Sequence, residues 1–97
     1  MIHGQCLCGG VRYELRGAPL AMYHCHCRTC RAASGASFAT NVAVRLRDFA
    51  IVEGTRLLRG HESSPGKFRY FCSACGSPIY SRGQATPDLV SIRSGTL

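Results

Sequence analysis

Cysteine placement constrains this chain more than any other feature in it. Seven cysteines fall in three tight clusters: Cys6-Leu7-Cys8, Cys25-His26-Cys27-Arg28-Thr29-Cys30 and Cys72-Ser73-Ala74-Cys75. They divide into four plus three. The two outer pairs, Cys6/Cys8 and Cys72/Cys75, complete a closed tetrahedral thiolate site. The middle run supplies only three sulfurs and leaves a second metal one ligand short. A zinc with four protein ligands holds structure, whereas a zinc with three can take a water or a substrate. Thiolate ligands favour zinc or an iron–sulfur cluster, and zinc is the expected ion at both sites.

A disulfide framework is the competing reading. Seven is an odd number, so one thiol would be left over. Cysteines one or two residues apart pair poorly with each other, and nothing in the chain suggests secretion. No apolar run approaches the roughly 20 residues a membrane helix needs, and the N-terminus MIHGQCLCGG lacks a basic-then-apolar signal pattern. No membrane association and a cytoplasmic, reducing location are expected.

At 97 residues the chain has room for one small domain. Such a domain often needs metals or cross-links for stability. A metal held by Cys6, Cys8, Cys72 and Cys75 would tie the two ends of the chain together. The closure cost of so long a loop rises only logarithmically with its length.

Frequent glycines punctuate short stretches that read as strands. Val11–Leu15 alternates apolar and polar, as a half-buried strand does. Ala21–His24, Phe38–Leu46, Phe49–Val52, Leu57-Leu58, Phe68–Phe71, Pro78–Ser81 and Leu89–Ile92 complete the set. Helix is confined to one or two turns over Thr29–Ala33, ending at Gly35. Glu62–Gly66 and Gly83–Asp88 read as exposed turns. The fold class expected is mainly β, a small fold of short antiparallel strands with little helix.

The formal charge is +7. Thiolates on two Zn²⁺ ions would bring it to about +4. The arginines are scattered, with no dense block or basic tail and no reading helix, which argues against a nucleic-acid module. Arg28 and Arg31 stand apart because they flank the three-cysteine run. They are candidates to hold the carboxylates of a thiol substrate by bidentate pairing. Ser34 and Gly35 follow in a tight turn that either binds an anion or ends the helix. His24 or His26 could close the three-sulfur site as a fourth ligand. If the site stays open, a thiol substrate could occupy it as a thiolate.

Three stretches carry a family resemblance. They are Gly4–Glu14, His24–Arg31 with Ser34-Gly35-Ala36, and Phe71–Tyr80, joined by the later Ser91–Leu97. The chain resembles the glutathione-dependent formaldehyde-activating enzyme family, whose domain is shared with centromere protein V. All seven cysteines match in spacing and context. The resemblance implies strands folded like a tent around zinc. It implies a structural zinc on Cys6, Cys8, Cys72 and Cys75, and a catalytic zinc on Cys25, Cys27 and Cys30. It further implies a carbon–sulfur lyase whose nominal reaction joins glutathione and formaldehyde as S-hydroxymethylglutathione. The alternative is a glutathione or zinc carrier without turnover. Family members continue past the Gly-Thr-Leu motif with a C-terminal segment, whereas this sequence stops at Leu97. The expectation is therefore that residues 1–97 lack that segment, or that a partner chain in a homo-oligomer supplies the missing surface.

Overall fold

A computed structural model describes all residues, 1–97. Nine strands form two antiparallel sheets: β1 (Ile2–Gln5), β2 (Arg12–Leu15), β3 (Ala21–Cys25), β4 (Ala39–Arg45), β5 (Phe49–Glu53), β6 (Leu58–Ser64), β7 (Lys67–Cys72), β8 (Pro78–Gly83) and β9 (Leu89–Arg93). The small sheet runs β1-β2-β5 and the large one β3-β4-β9-β8-β7-β6. One helix, α1 (Arg28–Ser34), lies between β3 and β4, and three single 3-10 turns finish the secondary structure. The molecule is mainly β, as its short alternating stretches led one to expect.

The core lies between the sheets. Tyr13 and Leu15 alternate inward from β2. They meet Val42 and Val44 of β4, Val90 and Ile92 of β9, and Ile79 of β8, all essentially sealed from solvent. Phe49 bridges the layers, with its ring 5.4 Å from Tyr13 and 4.9 Å from Tyr80. Cys6 and Cys72 are buried in the same cluster. The four-cysteine site is therefore rooted in the core and joins the small sheet to the large one.

Strand β1 is absent from the sequence reading. Ile2-His3-Gly4-Gln5 shows no apolar alternation, and its place in the sheet depends on what it pairs with. Gly4 stands opposite Tyr13 in the β1–β2 register, and the Tyr13 ring fills the space a side chain at Gly4 would need. The turn expected over Glu62–Gly66 is narrower in the structure. Strand β6 continues to Ser64, so only Pro65 and Gly66 turn, and the Glu62 carboxylate caps the bend by accepting the Gly66 N–H at 3.1 Å.

The two faces of the large sheet differ in kind. Partners across strands share a face, as do residues two apart along a strand. Val42, Val44, Val90 and Ile92 thus face the core. The opposite face carries Tyr23 and Cys25 of β3, Asn41 of β4, Ser91 and Arg93 of β9, Ser81 of β8, and Arg69 of β7. It is a polar face, and α1 packs against β4 beside it.

Candidate metal centres and the basic cavity beside them

Two groups of sulfurs converge. Within each, the ligand atoms lie within 4.8 Å of one another: Cys6, Cys8, Cys72 and Cys75 form one group, Cys25, Cys27 and Cys30 the other. Cys6 Sγ is 3.5 Å from Cys8 Sγ, and Cys8 Sγ is 3.9 Å from Cys72 Sγ. A tetrahedral thiolate site with metal–sulfur bonds near 2.3 Å has sulfurs about 3.8 Å apart, so the geometry fits a metal. It is far from the roughly 2.05 Å of a disulfide, and all seven cysteines are free.

Each outer pair sits in a turn closed by a glycine in the left-handed region, Gly9 at φ 75° and Gly76 at φ 80°. The Gly9 N–H reaches the Cys6 carbonyl at 3.1 Å, and the Gly76 N–H reaches the Cys72 carbonyl at 2.7 Å. These turns aim the sulfurs inward. Backbone and hydroxyl donors stabilise the thiolates. The Ser77 hydroxyl, 3.2 Å away, leads the groups that pull Cys75 down to about 5. For Cys6, burial pushes upward but is outweighed by the Val11 N–H and the Cys8 and Cys72 thiols. The Gly10 N–H pulls Cys8 down, yet proton sharing with Cys6 and the other thiols leaves it at about 11. Without a metal the cluster thus distributes its protons unevenly. A bound cation would remove them all.

The three-cysteine group is built on a helix start. Cys25 ends β3, Cys27 caps α1, and Cys30 lies in its first turn. The cap is a sulfur, with Cys27 Sγ accepting the Cys30 N–H at 3.3 Å. That bond is the first cause of its fall to about 7. Burial pushes Cys30 up, and Arg69 opposes the rise with Nη2 at 3.6 Å from the sulfur. Cys25 and Cys27 sulfurs are 3.5 Å apart. Neither nearby histidine joins the group. The His24 and His26 rings instead pack on Phe38, at centroid distances of 4.3 and 5.1 Å. The fourth side of this cluster is therefore free of protein ligands.

The flanking residues separate into two sets. Arg28 lines a hollow of about 430 Å³ with Thr29, Ala33, His61, Ser63 and Arg69. Arg31 is exposed and lines no such hollow; its carbonyl accepts the Gly35 N–H at 2.9 Å. Ser34 Oγ bonds the same carbonyl and receives the Ala36 N–H, so Ser34 and Gly35 form the end of α1.

Two arginines not singled out from sequence also reach this region. Arg69 and Arg93 line an adjoining cavity of about 190 Å³, which shares Ala33, His61 and Arg69 with the first. No Asp or Glu lines either. Arg93 is held below its usual pKa, first by burial and then by the charge of Arg69. A separate hollow of about 470 Å³ on the small sheet contains no thiol, and its Arg12 and Glu53 pair with each other at 3.9 Å. In sequence Arg69 alternates with Phe68 and Tyr70, and Arg93 lies in the Ser91–Leu97 stretch of the family resemblance, but neither pattern marks them as a pair. No helix of the chain is long and apolar enough to cross a membrane.

Comparison with known proteins agrees with this architecture. A Halomonas elongata protein, provisionally named as a glutathione-dependent formaldehyde-activating enzyme, is 31% identical over 98 residues. The alignment covers 93% of this chain and 61% of that protein, so the chain spans about three-fifths of its relative's length. The crystal structure of a Rhodobacter sphaeroides protein has the same fold, with a TM-score of 0.84, 24% identity, and coverage of 99% of this chain and 87% of that one. The sequence profile of the glutathione-dependent formaldehyde-activating enzymes matches residues 1–97. A match of that extent, over a chain whose cysteines assemble into two metal-ready clusters, makes this protein a member of the glutathione-dependent formaldehyde-activating enzyme family.

Proposed function

We propose that residues 1–97 form a zinc-binding unit of carbon–sulfur lyase type. It binds a thiol such as glutathione at Cys25, Cys27 and Cys30 and joins it to an aldehyde, nominally formaldehyde. The observation that carries this reading is the three-sulfur cluster with its fourth side free of protein ligands. Zinc bound there would act as a Lewis acid and lower the pKa of an incoming thiol. The second group, Cys6, Cys8, Cys72 and Cys75, would hold a structural zinc, giving two per chain.

The chain's own residues orient and screen. Cys27 is fixed by the Cys30 N–H, so the cluster is preorganised by α1. Arg28 and Arg69 supply positive charge beside it. In the addition, a sulfur–carbon bond forms and the carbonyl π bond opens. The oxygen takes up the proton that the thiol gave up. Thiol chemistry of this kind belongs in a reducing compartment such as the cytoplasm.

A carrier function without turnover is the second reading. It is favoured by the absence of acidic residues in both hollows and by the packing of His24 and His26 on Phe38. Among the residues lining both hollows, His61 alone could serve as a general acid. The deciding experiment is metal content per chain combined with glutathione titration and rate measurement. Two metal equivalents, glutathione binding lost in Cys27→Ser, and a rate above the spontaneous reaction are expected. Unchanged turnover in a folded Cys27→Ser protein would overturn the enzyme reading at this site. Binding without rate enhancement would select the carrier.

A further inference from the structure

The polar face of the large sheet holds two arginines without a carboxylate. Arg69 stands opposite Ser81, Ser81 opposite Ser91, and Arg93 opposite Asn41. Cys25 lies on the same face. Arg93 is only 9% exposed, and its Nη1 is anchored by Asn41 Oδ1 at 2.8 Å and by the Ser91 carbonyl at 3.2 Å. Its Nε and Nη2 make no bond within the chain, yet are not sealed in. Arg69 donates Nε to Ser63 Oγ at 2.9 Å and Nη2 to Cys30 Sγ. The ion pairs of the molecule lie elsewhere, at Arg12–Glu53 and Arg16–Glu14.

Burying a guanidinium without a counter-ion is costly, and two that share one cavity repel each other. Arg69 has the Cys30 sulfur of the three-cysteine cluster as a partner. Arg93 hydrogen-bonds only neutral oxygens, and Cys30 and Cys25 offset the effect of its burial only in part. An occupant with negative charge would compensate both, and a planar carboxylate matches the fork geometry of the guanidinium. Ala33, Phe71, Gly76 and Pro78 line the cavity beside the two arginines, with His61 at its border with the neighbouring hollow.

We propose that Arg93 and Arg69 form a carboxylate-binding pair beside the three-cysteine cluster, and that it selects thiols carrying a carboxylate. This rests on the thiol reading above. Asn41 acts as a positioning residue that holds the Arg93 fork toward the cavity.

Calorimetric titration of the metal-loaded protein tests it, with metal content checked in every sample. The probes are glutathione, its diethyl ester, S-methylglutathione and mercaptoethanol. Glutathione is expected to bind about tenfold or more tightly than the diethyl ester. Arg93→Gln and Arg69→Gln should weaken glutathione and shrink that ratio toward one. The ester comparison uses the unaltered protein, so it decides the matter even if a variant fails to fold. Equal affinity for glutathione and its ester, with mercaptoethanol also bound, would overturn the carboxylate pair and leave the thiol reading standing. S-methylglutathione bound as well as glutathione, with loss on esterification, would uphold the pair and sink the thiol reading. No binding of glutathione or S-methylglutathione would overturn both.

Discussion

Gly4 has no side chain, and the Tyr13 ring fills the room one would need. Tyr13 cannot yield easily, because its hydroxyl bonds Thr96 Oγ1 at 2.6 Å and its ring packs on Phe49. Gly4→Ala should therefore destabilise the fold by about 1–3 kcal/mol, the usual range for overpacking. For a domain of this size that lowers the melting temperature by roughly 4–8 °C per kcal/mol, a shift that a thermal melt by circular dichroism would read. Individual residues differed in how legible they were. The grouping of the cysteines into four and three was legible because their spacing is local and their chemistry is narrow. Arg28 and Arg31 drew notice for lying between or beside them. Arg69 and Arg93 are 24 positions apart, and their shared face depends on β7, β8 and β9 being neighbours. No local pattern states that pairing.

Helix α1 has seven residues, too few to be stable alone. Its two ends are fixed by different devices. The Cys27 sulfur accepts the Cys30 N–H at the start, and Gly35, at φ 68°, returns its N–H to the Arg31 carbonyl at the end. An added side chain at Gly35 meets no atom within 4 Å, so a substitution there pays only for the backbone conformation. Gly35→Ala should cost about 1 kcal/mol. Urea unfolding should show a lower midpoint at unchanged slope, because the surface exposed on unfolding stays the same. The helix was foreseen at Thr29–Ala33, within a residue of its true limits, because a cap and a glycine bracket it. Strand β1 was not, because its residues acquire their role only through pairing with β2.

At the scale of the molecule, the four-cysteine cluster joins the core edge of the small sheet to the end of β7 in the large one. Cys6 is 2% exposed and Cys72 is fully buried, whereas Cys27 is exposed. The two clusters should therefore fail differently. Cys72→Ser is expected to abolish the cooperative melt, as does removal of the metal by a strong chelator, since a structural metal site contributes folding free energy directly. Cys27→Ser should lose one metal equivalent and melt close to the parent. Equal stability of the two variants would count against a structural role for the four-cysteine group. The β class and the convergence of the outer cysteines were readable because strand alternation and ligand number are written locally. The strand order β3-β4-β9-β8-β7-β6 was not, since the pairing of β4 with β9 spans about half the chain.

The same spacing sets a timetable for the nascent protein. A chain leaving the ribosome completes its three-cysteine cluster at Cys30 but its four-cysteine cluster only at Cys75. At roughly 5–20 residues per second of synthesis, several seconds can separate the two events. During that interval the three-cysteine cluster is present without the group that joins the sheets, and Cys6 and Cys8 wait with half a site. The three-cysteine group, open on one side, is thus the first that could take up a metal, and the group that ties one sheet to the other is the last.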